Sequence, residues 1–254
     1  MSLGDFQQPV GEWLRGDGSD ADLVISSRVR LARNLTDVPF TTVANDHQRS
    51  EVADRIQNAI EGLQPGLALK TQHLDEMDTI HRLVLVERHL ISRELALASG
   101  PRVVAYDDTE AYSLMGNEED HLRLQVVKSG YCLEQAWQEM DQLEKSIDGE
   151  LQFAFDQQFG YLTACPTNVG TGLRASVMLH LPAMVITGQI EEVTRAATKI
   201  HLAVRGLFGR ALRDGAGSDP GPDRRLCRRL GRNDHHAHRG YPADLPGHPR
   251  GDAD

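Results

Sequence analysis

The strongest constraint in this sequence is a turn that few backbones can make, followed at once by a strand: Leu162 to His180 reads LTACPTNVGTGLRASVMLH. Pro166 fixes φ and removes a backbone donor, while Gly170 and Gly172 open conformations closed to other residues, so CPTNVGTG is predicted to be a tight loop. From Arg174 the pattern alternates, with Val177, Leu179 and Leu181 on one face and Arg174, Ser176 and Met178 on the other. The loop therefore presents Cys165 beside a strand whose polar face carries Arg174. A lone cysteine is by default a small apolar residue, so the thiol acquires meaning only from its neighbours.

A second alternating run, LVISSRVRLAR from Leu23 to Arg33, sends Ile25, Val29 and Leu31 one way and Arg28 and Arg30 the other. Asn45 or Asp46 is predicted to cap a helix in which Val52, Ile56, Ile60 and Leu63 recur at helical spacing. The run from Thr79 to Ser92, TIHRLVLVERHLIS, reads as a β segment with His89 near its end. Two short strands, Arg102 to Tyr106 and Ala111 to Gly116, flank a DDTE turn, and the second leads into NEEDHLRLQ. There Glu118, Glu119 and Asp120 crowd into a loop before Leu122, Leu124 and Val126 alternate with Arg123 and Gln125, which makes a cradle for a cation beside a bound anion. Leu133 to Ile147 is predicted to be an amphipathic helix with Ala136, Trp137, Met140 and Leu143 on its apolar stripe. Thr187 is predicted to cap a last helix, with Ile190, Val193, Ala197, Ile200 and Val204 on one face, that delivers Arg205. These elements imply an α+β fold, a largely antiparallel sheet flanked by helices, with the helices packed on one face.

Three of these strings, SSRVRLARN, NEEDHLR and CPTNVGTG followed by RASV, resemble signatures of the guanidino phosphotransferases, the arginine and creatine kinase superfamily, over roughly Asp22 to Gly209. The resemblance implies the phosphagen kinase catalytic-domain fold, with ATP as phosphoryl donor and Mg²⁺ held by nucleotide and water rather than by protein ligands. It assigns Glu119 and Cys165 to catalysis. It assigns ATP binding to Ser26, Ser27, Arg28, Val29 and Arg30, to His89 near the adenine, to Arg123, to Arg174, Ala175, Ser176, Val177 and Met178, and to Arg205. The chemistry is coherent, because guanidinium forks match phosphate oxygens. A guanidinium nucleophile is itself cationic, with a pKa of about 12.5 or above. A carboxylate such as Glu119 can orient it and assist loss of its proton, while the Cys165 thiolate holds another guanidinium nitrogen.

Kinases of free arginine or creatine carry a long helical domain ahead of the SSRVR strand, whereas this chain begins almost directly at that strand. Its organisation therefore resembles the bacterial protein-arginine kinases, which phosphorylate arginine side chains and mark proteins for Clp-type proteolysis. The partners implied are protein substrates with accessible arginines, an activator protein and the Clp protease machinery. The alternatives are a kinase of a small guanidino compound and a catalytically dead ATP-binding remnant.

The net charge of −10 argues against a general nucleic-acid binder and suits cationic partners. Cys132, Cys165 and Cys227 form no CxxC pair, which argues against a disulfide framework or a zinc site and for a reducing, cytoplasmic setting. No signal peptide and no membrane-spanning run is evident, so no membrane partner is expected. Residues 1–21 read as a lead-in and 22–209 as the catalytic domain, incomplete at its C-terminal end. Residues 210–254 contain no Ile, Val, Phe, Met, Trp, Lys, Glu, Gln or Thr. Such a segment is expected to be disordered, or to be the product of a reading-frame shift that retranslation in the other two frames would reveal. The family motif RGxxGE ends in a second carboxylate where RGLFGR places Arg210, so impaired activity is expected.

Overall fold

The computed structural model describes residues 11–63 and 67–205. Arg210 and the expected 210–254 tail lie outside the described residues. In chain order the elements are β1 (Val24–Arg33), α1 (Asp46–Glu61), β2 (Leu69–His73), α2 (Thr79–Glu87), α3 (Arg93–Leu97), β3 (Val103–Asp107), β4 (Tyr112–Gly116), β5 (Leu122–Ser129), α4 (Leu133–Asp148), β6 (Phe155–Asp156), β7 (Gly160–Tyr161), β8 (Leu173–Leu179), α5 (Pro182–Ile186) and α6 (Ile190–Lys199). One compact unit ends at Ile190, and a second begins at Glu191.

Six strands form one sheet in the order β2-β3-β4-β5-β1-β8, and every neighbouring pair is antiparallel. The alternation of β1 and β5 sends Val29, Leu31, Leu122, Leu124 and Val126 into the main core, against Val52, Ile56 and Ile60 of α1 and Met140, Leu143 and Ile147 of α4. Each such side chain, when fully buried, contributes about 1.5–3 kcal/mol. Asn45 caps α1 as expected: it accepts from Gln48 N at 2.9 Å while the Gln48 side chain accepts from Asn45 N at 3.0 Å.

Three expectations need correction. The Thr79–Ser92 run is not a β segment: Thr79–Glu87 forms α2, followed by turns, and Asp78 caps the helix by accepting from His81 N at 2.8 Å. Leu85 then packs with Leu90, Ile91 and Leu95. Its β-branched composition suggested a strand, but a capped turn and burial of one stripe outweigh a propensity difference of a few tenths of a kcal/mol, about the spread of the helix scale. The helices also do not all lie on one face, because the α2–α3 cluster packs on Val104, Tyr106 and Met115, which alternate with the core-facing residues of β3 and β4. Finally, Thr187 is the C-cap of α5, and α6 stops at Lys199, so Ile200 and Val204 lie beyond it; His201 adopts φ +64°, a left-handed helix ending.

Candidate active site

The register of the sheet builds a cationic surface on the face opposite the main core. Arg28 of β1 stands between Val127 of β5 and Ser176 of β8, and Arg30 between Gln125 and Arg174. Arg123 pairs with Ala32 on one side and with Met115 on the other. Because directly paired residues point the same way, Arg28, Arg30, Arg123 and Arg174 share this face, as do Ser26, Ser176 and Met178. The α2–α3 cluster covers the β3–β4 part of it and leaves the arginine part uncovered by that cluster.

The electrostatics of this surface call for an anion. Burial, followed by repulsion from Arg174 and Arg123, lowers Arg28 below the ordinary arginine value. Arg30 is pulled down to about 8, first by burial and then by Arg28, Arg174 and Arg123, with Glu118 opposing. Arg28 Nε donates to Ser176 Oγ at 3.4 Å, whereas Arg30 Nε is buried with no hydrogen-bond partner among the described residues. A buried donor left unsatisfied beside like charges is costly, and phosphate oxygens would supply both the acceptor and the countercharge. The residues therefore fit a nucleotide triphosphate tail. Arg30→Ala is expected to weaken ATP binding by about 10- to 100-fold, the loss of one charge-assisted hydrogen bond. Ligand-dependent thermal stabilisation checks this, and undiminished stabilisation would remove Arg30 from the phosphate site.

Glu119 and Cys165 come together at the edge of this surface although 46 positions separate them (165 − 119). Asn117, at φ +59°, turns the chain after β4 and donates to Arg49 O at 2.7 Å and Pro101 O at 3.0 Å, which anchors the acidic turn. Glu118 is ion-paired to Arg123 and accepts from Ser92 Oγ, while Glu119 reaches Arg123 at 3.4 Å; Ala164 N donates to Asp120 Oδ1 at 2.7 Å, which brings Cys165 up to Glu119. Burial, then the charge of Asp120, pushes the Glu119 carboxyl above the usual carboxylate range, with Arg123 opposing. The Cys165 loop is pinned on itself. Thr163 Oγ1 and Asn168 N both donate to Cys165 O, at 2.8 and 3.0 Å, and Cys165 Sγ lies 2.9 Å from Thr167 Oγ1. Gly172 closes it at φ +64°, where a Cβ would sit 2.5 Å from Ala32 O.

The remaining sequence-derived candidates divide. His89, at φ +60°, ends α2 beside the arginines: Gln125 Nε2 donates to its carbonyl at 2.8 Å, and burial followed by Arg28 lowers its ring below the ordinary histidine value. Ser27, Val29, Ala175 and Val177 alternate with the arginine-face residues, so their side chains point to the other face. Ser27 Oγ donates to Gly130 O at 2.8 Å and accepts from Cys132 N at 3.0 Å, and Val29 is in the core. Arg205 belongs to the second unit. Glu118, read from sequence only as one of three crowded carboxylates, proves to be the ion-pair partner of Arg123. Trp13, edge-on to His89 with ring centroids 4.4 Å apart, had no signal in the sequence.

The profile of the ATP:guanido phosphotransferase C-terminal catalytic domain matches residues 51–215. The protein-arginine kinase of Moorella thermoacetica is 51% identical over 201 residues, 78% of this chain and 57% of that protein. Its counterpart in Brevibacillus brevis is 44% identical over 212 residues, 82% of this chain and 59% of that protein. The chain thus spans less than two thirds of these curated relatives. Among solved structures, the duplicated taurocyamine kinase of Schistosoma mansoni superposes with a TM-score of 0.68 at 26% identity, over 79% of this chain and 29% of that one. A lombricine kinase gives 0.64 at 25%, over 80% and 60%.

Proposed function

The chain belongs to the ATP:guanido phosphotransferase family, and from that premise we propose that it transfers the terminal phosphoryl group of ATP to arginine side chains of proteins. The observation that carries this reading is the placement of Glu119 and Cys165 together beside the arginine surface, held by the hydrogen bond between their chain neighbours Asp120 and Ala164. Arg28, Arg30 and Arg174 hold phosphate oxygens, and His89 lies toward the base. Mg²⁺, held by nucleotide and water, would supply further charge neutralisation on the phosphates. Glu119 orients the substrate guanidinium and takes one of its protons. The freed nitrogen pair forms the N–P bond as the bond from phosphorus to the ADP oxygen breaks, and Cys165 holds a second guanidinium nitrogen. In such a transfer the protein acts by positioning and electrostatics more than by covalent chemistry.

The choice of protein arginine over a small guanidino compound is supported by the named activity of the curated relatives. An activator protein, the Clp machinery and a cytoplasmic setting belong to the same proposal. Among the described residues no helix is long and apolar enough to cross a membrane. Turnover is expected to be slow, since Arg210 stands where the second carboxylate is expected. Mass spectrometry after incubation with ATP and either an unfolded basic protein or free arginine tests the reading. Acid-labile phosphate on arginines of the protein is expected. Phosphate only on the free amino acid would select the small-substrate kinase, and nucleotide binding with neither product would select the inactive remnant.

A further inference from the structure

Two residues of the recognised strings take no part in the chemistry above: Asn34, which ends SSRVRLARN, and Asp120, the fourth residue of NEEDHLR. Both are 1% exposed. Asn34 Nδ2 donates to Asp120 Oδ1 at 2.7 Å and to Leu162 O at 3.0 Å, and Asn34 Oδ1 accepts from His121 N at 2.8 Å. Asp120 Oδ1 also accepts from Ala164 N at 2.7 Å. We propose that Asn34 and Asp120 are positioning residues, a buried hub that fixes Glu119, Cys165 and the arginine strand relative to one another.

The placement gives the hub its leverage. Asp120 directly follows Glu119, Ala164 directly precedes Cys165, and Asn34 directly follows the strand that carries Arg28 and Arg30. One amide and one carboxylate thus tie together three segments, through contacts 86, 44 and 128 residues apart in sequence. His121 secures the same corner: Leu35 N donates to its Nδ1 at 3.0 Å, so its Nε2, 2.9 Å from Pro39 O, carries the proton of a neutral ring. Burial favours that neutral form.

Asp120 is an expensive choice for a purely structural corner. Its Oδ2 is buried, and among the described residues it has no hydrogen-bond partner and Asp120 makes no ion pair. A buried carboxylate so treated costs stability, and an asparagine could accept the same two hydrogen bonds through its carbonyl oxygen. What the charge adds is its effect on the neighbour, since Asp120 raises the Glu119 carboxyl.

The inference rests on the reading above for the roles of Glu119 and Cys165, and its test needs no turnover. The probe is iodoacetamide, with alkylation of Cys165 measured against Cys132 by peptide mapping. Cys132, also free and half-buried, serves as the reference, because global unfolding exposes both thiols together. Asp120→Ala is expected to raise the Cys165:Cys132 ratio by about 5- to 100-fold through local opening of the loop. Asp120→Asn, which keeps the acceptor oxygen, is expected to leave the ratio within about twofold. Asn34→Ala, which leaves the Ala164–Asp120 bond intact, is the second arm if Asp120→Ala does not fold, and it too raises the ratio. A parental ratio in whichever of these alanine variants folds would overturn the hub. A chain that phosphorylates nothing would instead sink the kinase reading and leave this result standing.

Discussion

Glu119→Gln is expected to lower the rate of arginine phosphorylation by about 10²–10⁴-fold, roughly 3–5 kcal/mol of barrier, with nucleotide affinity changed by no more than about threefold. The split follows from the geometry. Glu119 stands by the Cys165 loop, which is tied to the acidic turn through Ala164 and Asp120, and is only loosely paired with Arg123 at 3.4 Å, whereas Arg28 and Arg30 form the surface that fits phosphates. The pH profile carries a second signature. Burial and the charges of Asp120 and Glu118 raise the Glu119 carboxyl, and only its ionised form can take a proton from the guanidinium. Activity should therefore fall as pH drops through a value above the usual carboxylate range, and this limb should vanish in Glu119→Gln. If the variant retained both its rate and the acid limb, Glu119 would not be the base. If ATP affinity fell in step with the rate, the residue would belong to the nucleotide site instead.

Arg33→Ala is expected to destabilise the fold by roughly 3–5 kcal/mol, because it strands a buried carboxylate. Arg33 and Glu144 have side chains only 1% and 5% exposed, and Arg33 reaches Glu144 Oε1 through both Nε and Nη2 at 2.6 Å. Arg33 Nη1 donates to Ala32 O at 2.8 Å and to Thr171 O at 2.9 Å, and the guanidinium lies 3.6 Å from the centroid of the Tyr161 ring. One guanidinium thus joins β1, α4 and the end of the Cys165 loop. Urea unfolding measures the loss. Replacing both partners, as in Arg33→Met with Glu144→Leu, should recover most of it, since a well-packed apolar pair is often no worse than a buried ion pair. A single-variant loss below about 1 kcal/mol would mean that water reaches the pair.

The alternation around Arg28, Arg123 and Arg174 was legible in the chain because a strand's period of two is a local property, visible without any partner. The same holds for the Asn45 cap, the α4 stripe and the Gly172 turn, each specified within a few residues. The antiparallel sheet followed from short neighbouring strands, and the three signature strings pointed to Glu119 and Cys165 through resemblance. Tertiary structure decided the rest. The Thr79–Glu87 run has the composition of a strand and became α2 because Asp78 caps it and Leu85 has a cluster to enter. That the arginines of SSRVR, RASVM and NEEDHLR meet on one face depends on the register of β1 with β5 on one side and with β8 on the other, and register is set by burial across the whole sheet. The work of Asn34, Asp120 and Arg33 was invisible in sequence because each joins segments that lie far apart along the chain. A buried polar side chain in a sequence looks like any other asparagine, aspartate or arginine until the fold brings up the groups it must satisfy.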